Sequence, residues 1–307
     1  MSASPPLRWA VDAGRWAPSS AQLELLLSAL PADEVVRAAR FVEPADVKRC
    51  LLSQLLQRAA GARALGAAWG APLRRTRGGK PFLPPPPGAP RPAGAPNFNY
   101  NVSHEGAWVV LAAEGRCLVG VDVAAPRQLR GRGGRGLAAS LELMRAQLSD
   151  AEWARLQSLA GDEAAMEAAF QQMWCVKEAF IKARGDGVAF EPLSRVEAVL
   201  PPDAGAGGGA AQPPVRRGAL LVDGQPAPRW RVFLQQLPGR HWVAVARGPP
   251  DAAVDAHGEF RATLQEPVMP EPELQAHLDA HSPAFDLLTV EDLLPDELLQ
   301  RYLDCEL

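Results

Sequence analysis

Two carboxylates in different parts of the chain are candidates for chemistry. Asp122 is the one charged residue in the apolar run 117–123, and Glu178 lies four residues before Lys182 in a helical pattern. An acid within a buried strand is costly unless it is paired or bound to a metal, which makes Asp122 a candidate functional residue. Residues four apart share one helix face, so Glu178 and Lys182 can face one cleft together. Taken alone, the spacing of Glu178 and Lys182 is more typical of an ordinary surface ion pair on a core helix.

A long helix is predicted to carry Glu178 and Lys182. The helical pattern begins near Gly161 and ends at Gly185, a residue suited to a helix C-cap. The apolar residues that fall on one arc of this helix are Met166, Phe170, Met173, Phe180 and Ile181. Lys177 projects into the middle of that arc, where a charged side chain needs a specific reason.

The composition describes a globular chain. It has 307 residues, 47% of them hydrophobic and 22% charged, enough for one large domain or two modest ones. A net charge of -3 gives no general attraction to nucleic acid or membrane. The four cysteines have no metal-ligand spacing and no disulfide pattern, and the chain shows no signal peptide or membrane-spanning run. These features predict a cytosolic protein that binds neither nucleic acid nor membrane.

The first half of the chain mixes strands and helices. The sequence predicts a strand at 7–12, a helix at about 21–29, and a helical region at 31–65 with leucines on its core face. The basic segment Arg74 to Pro81 contains Gly78 and Gly79, which let backbone and cations approach an anion together, although such a segment is also typical of a solvated turn. The proline-rich stretch 84–96 is predicted to be an exposed insertion.

A strand of alternating polar and apolar residues follows at 97–104, and its polar face is expected to meet a specific binding partner or structural element. Glu105 and Gly106 turn the chain into an apolar strand at 108–113. Ser103 and His104, at the end of this hairpin, can donate to a phosphate, but on their own such residues more often cap a turn.

The second half repeats parts of this pattern. Strands are predicted at 195–200, 219–222, 230–237 and 241–246, with an insertion at 201–214. Residues 242–246 resemble 108–113, which suggests a duplicated α+β unit. From residue 249 the chain is acidic and contains prolines, and it ends in an amphipathic helix near 290–302 that either docks on the body or stays free.

Several motifs occur in a fixed order that resembles the 4'-phosphopantetheinyl transferases, specifically their larger pseudodimeric branch. The motifs are Arg37, Gly79-Lys80-Pro81, Asn99-x-Asn101-x-Ser103-His104, Gly120-Val121-Asp122 and Trp174-x-x-Lys177-Glu178-x-x-x-Lys182. The resemblance covers residues 7–246. It implies an α+β fold with two similar subdomains, 1–123 and 124–248, each a small antiparallel sheet packed against helices. The active site would lie in the cleft between them, and residues 249–307 would form a C-terminal extension.

The resemblance also implies the site residues. Asp122 and Glu178 would bind Mg²⁺, and Asp122, Glu178 and Lys182 would be catalytic. Lys177 would orient Glu178 or the phosphate, with the apolar face of its helix meeting the other subdomain at the site. Contacts to coenzyme A would come from Arg37, Arg75, Thr76, Arg77, Gly78, Gly79, Lys80, Asn101, Val102, Ser103, His104, Asp122, Glu178 and Lys182. Magnesium favours one or two carboxylates together with phosphates and water, which agrees with this pair. Many bacterial members carry a second acid two residues after the aspartate, and here that position is Ala124.

The implied reaction is transfer of 4'-phosphopantetheine from coenzyme A to a serine of an acyl or peptidyl carrier protein, as in holo-[acyl-carrier-protein] synthases. Carrier domains of multidomain synthases or dehydrogenases would be the partners, and the transferase would be a monomer. We expect Arg127, Arg130, Arg132 and Arg135 to steer an acidic carrier, the alternative being a loop without a partner. Other functions compatible with the residues are a magnesium-dependent phosphatase or nuclease and a non-catalytic coenzyme A-binding or scaffold protein.

Overall fold

A computed structural model describes residues 5–85, 90–130, 136–201 and 213–305. Outside these ranges lie Arg132 and Arg135, two of the four arginines expected to steer the carrier. Part of the proline-rich stretch and most of the 201–214 insertion also lie outside them. The protein mixes helices with sheets, which confirms the predicted α+β class. All four cysteines are free thiols.

The first half supplies strands, helices and a short basic hairpin. Its elements are β1 (Leu7–Asp12), α1 (Ser20–Ser28), α2 (Ala32–Ala38), α3 (Pro44–Leu65), β2 (Arg74–Arg75), β3 (Pro81–Phe82), β4 (Asn99–Glu105) and β5 (Trp108–Glu114). The next strand, β6 (Leu118–Ala124), pairs with the sheet of the second half. Helix α1 begins with a capping box between Ser19 and Gln22, and α3 ends at Gly66, whose φ of 62° suits glycine. The leucines predicted to form the core face of α3 are fully buried.

The second half builds another sheet around a long helix. Its elements are α4 (Leu137–Leu143), α5 (Asp150–Ser158), α6 (Glu163–Arg184), β7 (Val196–Val199), β8 (Arg216–Val222), β9 (Gln225–Pro226), β10 (Arg231–Leu237) and β11 (His241–Gly248). The strand order is β6-β11-β10-β8-β7, with β9 beside β8. Strand β6 is antiparallel to β11, so that Asp122 lies opposite Ala244. The predicted bounds of α6 are confirmed, including its left-handed C-cap at Gly185.

Helix α6 packs directly on β6, and Gly120 permits this contact. A Cβ at Gly120 would lie 2.1 Å from the carbonyl oxygen of Ala179 and 2.3 Å from the amide nitrogen of Ala183. Real Cβ atoms do not approach other atoms so closely, so only glycine fits between the strand and the helix backbone. The Gly-Val-Asp motif therefore sets the distance between Asp122 and the helix that carries Glu178 and Lys182.

The last part of the chain returns to the first sheet. It contains α7 (Glu271–Asp279), β12 (Asp286–Leu288) and α8 (Asp296–Asp304). Strand β12 is parallel to β1 and extends the first sheet to the order β12-β1-β5-β4. Leu298 and Tyr302 of α8 are buried in the core of the first half, and the indole of Trp16 donates to the Tyr302 hydroxyl at 3.0 Å. Of the two alternatives left open for the terminal helix, docking on the body is the one observed.

The two sheets meet along a seam between β4 and β6. The Oδ1 atoms of Asn99 and Asn101 accept the amide protons of Val119 (2.9 Å) and Val121 (3.0 Å). The side chains of β4 thus hydrogen-bond to the main chain of β6. Two neighbouring strands of one sheet would instead be joined by hydrogen bonds between their main chains. The predicted polar face of β4 is confirmed, and β6 is what it faces.

Candidate functional site

The centre of the site is a group of three side chains at this seam, of which Asp122 and Ser103 are buried and Lys182 is partly exposed. Oδ1 of Asp122 accepts hydrogen bonds from the Ser103 hydroxyl at 2.8 Å and from the Lys182 ammonium at 2.5 Å. Lys182 Nζ also lies 3.0 Å from Ser103 Oγ. Asp122 is only 6% exposed, so pairing with a cation is what stabilises its charge at this depth. Strand β4, strand β6 and helix α6 each contribute one member of the group.

Glu178 lies one helical turn before Lys182 and is half-buried. Desolvation and then the negative charge of Asp122 raise the pKa of Glu178, while Lys182 acts in the opposite direction. Two carboxylates that repel one another in a partly dry site are stabilised by a shared cation. Their residue types therefore fit Mg²⁺, which takes its remaining ligands from phosphate and water.

No cluster of three or more acidic, histidine or cysteine side chains able to hold a metal occurs among the described residues. The buried methyl group of Ala124, on β6 with Asp122, offers no further ligand.

A cavity of about 1110 Å³ opens beside this group and is lined from both halves of the chain. Of the residues assigned to coenzyme A, those that line it are Arg75, Arg77, Gly78, Gly79, Lys80, Asn101, Val102, Glu178 and Lys182. Asp122 and Ser103 lie behind Lys182, which contacts both. The structure thus brings the basic segment 74–81, called the basic turn below, together with β4 and α6 around one cavity.

Besides Asp122 and Ser103, three of the assigned residues lie outside the cavity lining. The exposed guanidinium of Arg37 is 3.8 Å from the Asp33 carboxylate, and His104 is exposed at the end of β4. Thr76 is buried, and its hydroxyl accepts the amide proton of Lys80 at 3.1 Å, which holds the basic turn closed. Desolvation and then the nearby charge of Arg37 lower the pKa of Arg75, so the two arginines repel one another and an anion between them would be stabilised.

Lys177 has a different role from the one its position predicted. Its ammonium is fully buried, pairs with the Glu152 carboxylate at 2.5 Å and donates to the carbonyl oxygens of Gln147 (2.8 Å) and Leu193 (3.1 Å). These partners belong to the second half of the chain. The expectation that Lys177 orients Glu178 or a phosphate is wrong, since the acid it needs is supplied by α5.

Two family models together match nearly all of residues 14–246. Residues 14–116 match the model described as 4'-phosphopantetheinyl transferase, N-terminal, and residues 118–246 match that of the 4'-phosphopantetheinyl transferase superfamily. The chain belongs to the 4'-phosphopantetheinyl transferase superfamily.

Relatives of this transferase occur in animals, a thraustochytrid and bacteria. The chain is 34% identical to human L-aminoadipate-semialdehyde dehydrogenase-phosphopantetheinyl transferase, over 80% of this chain and 76% of that protein. It is 31% identical to a phosphopantetheinyl transferase of Thraustochytrium, over 78% of this chain and 77% of the relative. Identity to the 4'-phosphopantetheinyl transferase Sfp of Bacillus subtilis is 27%, over 56% of this chain and 67% of the relative.

The sequence did not reveal a buried ion network that fastens the halves of the transferase. Glu114 on β5 pairs with Arg8 of β1 and with Arg247 of β11, whose Nε lies 3.0 Å from Glu114 Oε1. Arg247 also donates to the Ala280 carbonyl just after α7, at 2.8 Å. An arginine in a strand normally suggests a surface position. The one sequence signal that Arg8 and Arg247 are buried was that both follow or precede apolar residues of their strands.

The remaining expectations concern the basic loop and membranes. Arg127 is exposed, and its amide donates to the Glu167 carboxylate at 2.7 Å. No helix in the described ranges is long and apolar enough to span a bilayer.

Proposed function

We propose that this transferase moves the 4'-phosphopantetheine group of coenzyme A to a serine of a carrier protein. The observation that carries the proposal is the Asp122, Glu178 and Lys182 group, which opens on a cavity lined by the basic turn in a member of this superfamily. A diphosphate ester with an additional 3'-phosphate is strongly anionic, so it suits a cavity lined by Arg75, Arg77 and Lys182.

Asp122 and Glu178 are the residues that would hold Mg²⁺. When bound, Mg²⁺ clamps diphosphate oxygens and offsets charge that develops on them. The basic turn and Asn101 would contact coenzyme A from the first half of the chain. Arg37, Ser103 and His104 are further proposed contacts for its phosphates.

The reaction is a displacement at phosphorus. The hydroxyl oxygen of the carrier serine bonds to the β-phosphorus of coenzyme A, and the bond from that phosphorus to the bridging oxygen breaks, which releases adenosine 3',5'-bisphosphate. Lys182 is placed to stabilise the leaving phosphate, because its ammonium combines partial exposure with anchorage on Asp122 and Ser103. Glu178 is proposed to accept the serine proton, either directly or through a water molecule.

The wider assignments rest on the same proposal. We assign residues 1–123 and 124–248 to two similar subdomains with the site in the cleft between them, and residues 249–307 to an extension. The support is that β5 and β11, the related apolar strands, each occupy an interior position of their own sheet. The transferase would act as a monomer on acyl carrier proteins and on carrier domains of larger synthases or dehydrogenases, with Arg127, Arg130, Arg132 and Arg135 steering the acidic partner.

Mass spectrometry of the carrier tests the function. The transferase is incubated with coenzyme A, Mg²⁺ and several apo carriers, and each carrier is then weighed. Addition of one phosphopantetheine group, with equimolar release of adenosine 3',5'-bisphosphate, is expected for at least one carrier. Absence of the added mass on every carrier would favour a non-catalytic coenzyme A-binding protein or another magnesium enzyme.

A further inference from the structure

The ammonium group of Lys80 makes an unusual set of contacts. It donates to the main-chain carbonyl of Val119 on β6 at 2.7 Å and to that of Lys182 on α6 at 3.3 Å. The residue is only 3% exposed, and its ammonium lies 5.5 Å from the centre of the Phe260 ring. Lys80 belongs to the basic turn of the first half, whereas both acceptors belong to the elements that carry the site.

Each acceptor has a structural need for this donor. The last four carbonyls of an α-helix lack intrahelical partners, and Lys182 O is one of them because α6 ends at Arg184. A cation at this helix end satisfies a carbonyl and complements the helix dipole. Val119 lies on the seam, where its amide already donates to Asn99. Lys80 and Asn99 thus hold the same residue of β6 through opposite polar groups.

The surrounding backbone fixes the stem of Lys80 against α6. Its Cδ would lie 3.6 Å from a Cβ at Gly185, the C-cap of α6. A Cβ at Gly78 would lie only 2.0 Å from the Gly185 carbonyl oxygen, so the basic turn and the helix end touch backbone to backbone. The turn has no room to move the ammonium away while this contact persists.

We infer that Lys80 is a positioning residue that ties β6 to the end of α6 and thereby fixes Asp122 relative to Lys182 and Glu178. This inference rests on the proposed function and differs from the coenzyme A contact that the motif implied for Lys80. Burial lowers the pKa of Lys80 to about 7, as expected for an amine whose partners are neutral carbonyls and not a phosphate or carboxylate.

Two substitutions distinguish positioning from phosphate binding. Lys80→Met keeps an unbranched side chain without the charge, and Lys80→Arg keeps the charge but adds a planar group that the buried site cannot accept. Positioning predicts that both variants lose about 10²-fold in kcat, the loss associated with a misplacement of about 1 Å. The dissociation constant of coenzyme A should change much less. A phosphate contact predicts instead that Lys80→Arg is active and that Lys80→Met weakens coenzyme A binding by about 10-fold or more.

Lysine labelling of the unaltered transferase tests the inference independently. It remains informative even if the Lys80 variants do not fold. The chain has four lysines, at 48, 80, 177 and 182, so mass spectrometry can follow each one with an amine-reactive reagent. Positioning predicts that Lys80 reacts as slowly as the buried Lys177, with or without coenzyme A and Mg²⁺. Lys48 should react quickly, and Lys182 should be protected by the ligand.

The outcomes separate this inference from the proposed function. Failure of the unaltered protein to transfer phosphopantetheine refutes the function. With transfer established, slow labelling of Lys80 and a loss of kcat in each folded variant that exceeds the change in coenzyme A affinity support the positioning role. Rapid labelling of Lys80 that coenzyme A suppresses, or a folded Lys80→Arg variant with normal kcat, overturns it.

Discussion

Substitution of Gly120 by alanine tests whether the strand-to-helix distance sets the rate of transfer. The new Cβ would lie 2.1 Å from the Ala179 carbonyl oxygen, and contacts below 3.0 Å are essentially never observed. Helix α6 must therefore move away from β6 by about 0.9 Å at this point. Glu178 and Lys182 move with the helix, while Asp122 stays on β6.

The expected cost follows from that displacement. A misplacement of about 1 Å at a catalytic site lowers the rate by about 10²-fold, which corresponds to about 2.7 kcal/mol in activation free energy. Overpacking adds a loss of about 1–3 kcal/mol in the free energy of unfolding. The measurements are kcat for transfer to a carrier and urea unfolding of Gly120→Ala.

A second glycine provides a matched control. A Cβ at Gly218, on β8, would lie 2.9 Å from the Val199 carbonyl oxygen, so this strand is also crowded, but it lies away from α6 and Asp122. Gly218→Ala should lose stability and retain kcat. The reasoning is refuted if Gly120→Ala has the kcat of the unaltered transferase, or if the two variants lose kcat in proportion to their loss of stability.

Three further predictions concern buried charges. Asp122→Ala and Glu178→Ala should each abolish transfer while circular dichroism shows an intact fold, and full activity of either would contradict its assignment as a magnesium ligand. Glu114→Gln should lower the free energy of unfolding by about 3–5 kcal/mol at neutral pH, because two buried arginines lose their counter-ion. Desolvation raises the pKa of Glu114, but the two arginines outweigh it and hold the pKa below its ordinary value. The carboxylate therefore stabilises the fold above about pH 4.3, and this contribution is lost as the pH falls through the lowered pKa of the folded state. Urea unfolding across that range should show the two proteins converge, and a constant difference would exclude this origin. Lys177→Met should also cost about 3–5 kcal/mol by leaving the Glu152 carboxylate unpaired, and adding Glu152→Gln should recover part of that loss in a double-mutant cycle; strict additivity would show that the pair is not coupled.

Local signals allowed the bounds of several elements to be predicted. Helix α6 was recognisable because its apolar period is unbroken and Gly185 provides a C-cap with positive φ. The hairpin of β4 and β5 was recognisable from the alternating strand before Gly106 and the apolar strand after it. These features depend on residues close in sequence, so the sequence contains all that determines them.

Partners distant in sequence could not be predicted. Lys177 and Lys80 are both lysines in motifs, but their acceptors are Glu152 and main-chain carbonyls that only the folded chain brings close. The pairing of β12 with β1 joins residues almost 280 positions apart. Strand β12 has only three residues, too few to show the alternating pattern by which a strand is predicted. A pattern identifies which side chains are unusual, whereas tertiary packing decides what satisfies them.

The position of Asp122 changes how the two halves share the chemistry. Strand β6 pairs with β11 and packs against α6, so Asp122, Glu178 and Lys182 all arise from one sheet and the helix that covers it. The first half contributes the Ser103 hydroxyl that binds Asp122, the asparagines that hold β6, and the Lys80 ammonium that holds the end of α6. Since each of these groups contacts the element on which a proposed catalytic residue sits, separation of the halves along the seam would disorder the site without removing any of its acids.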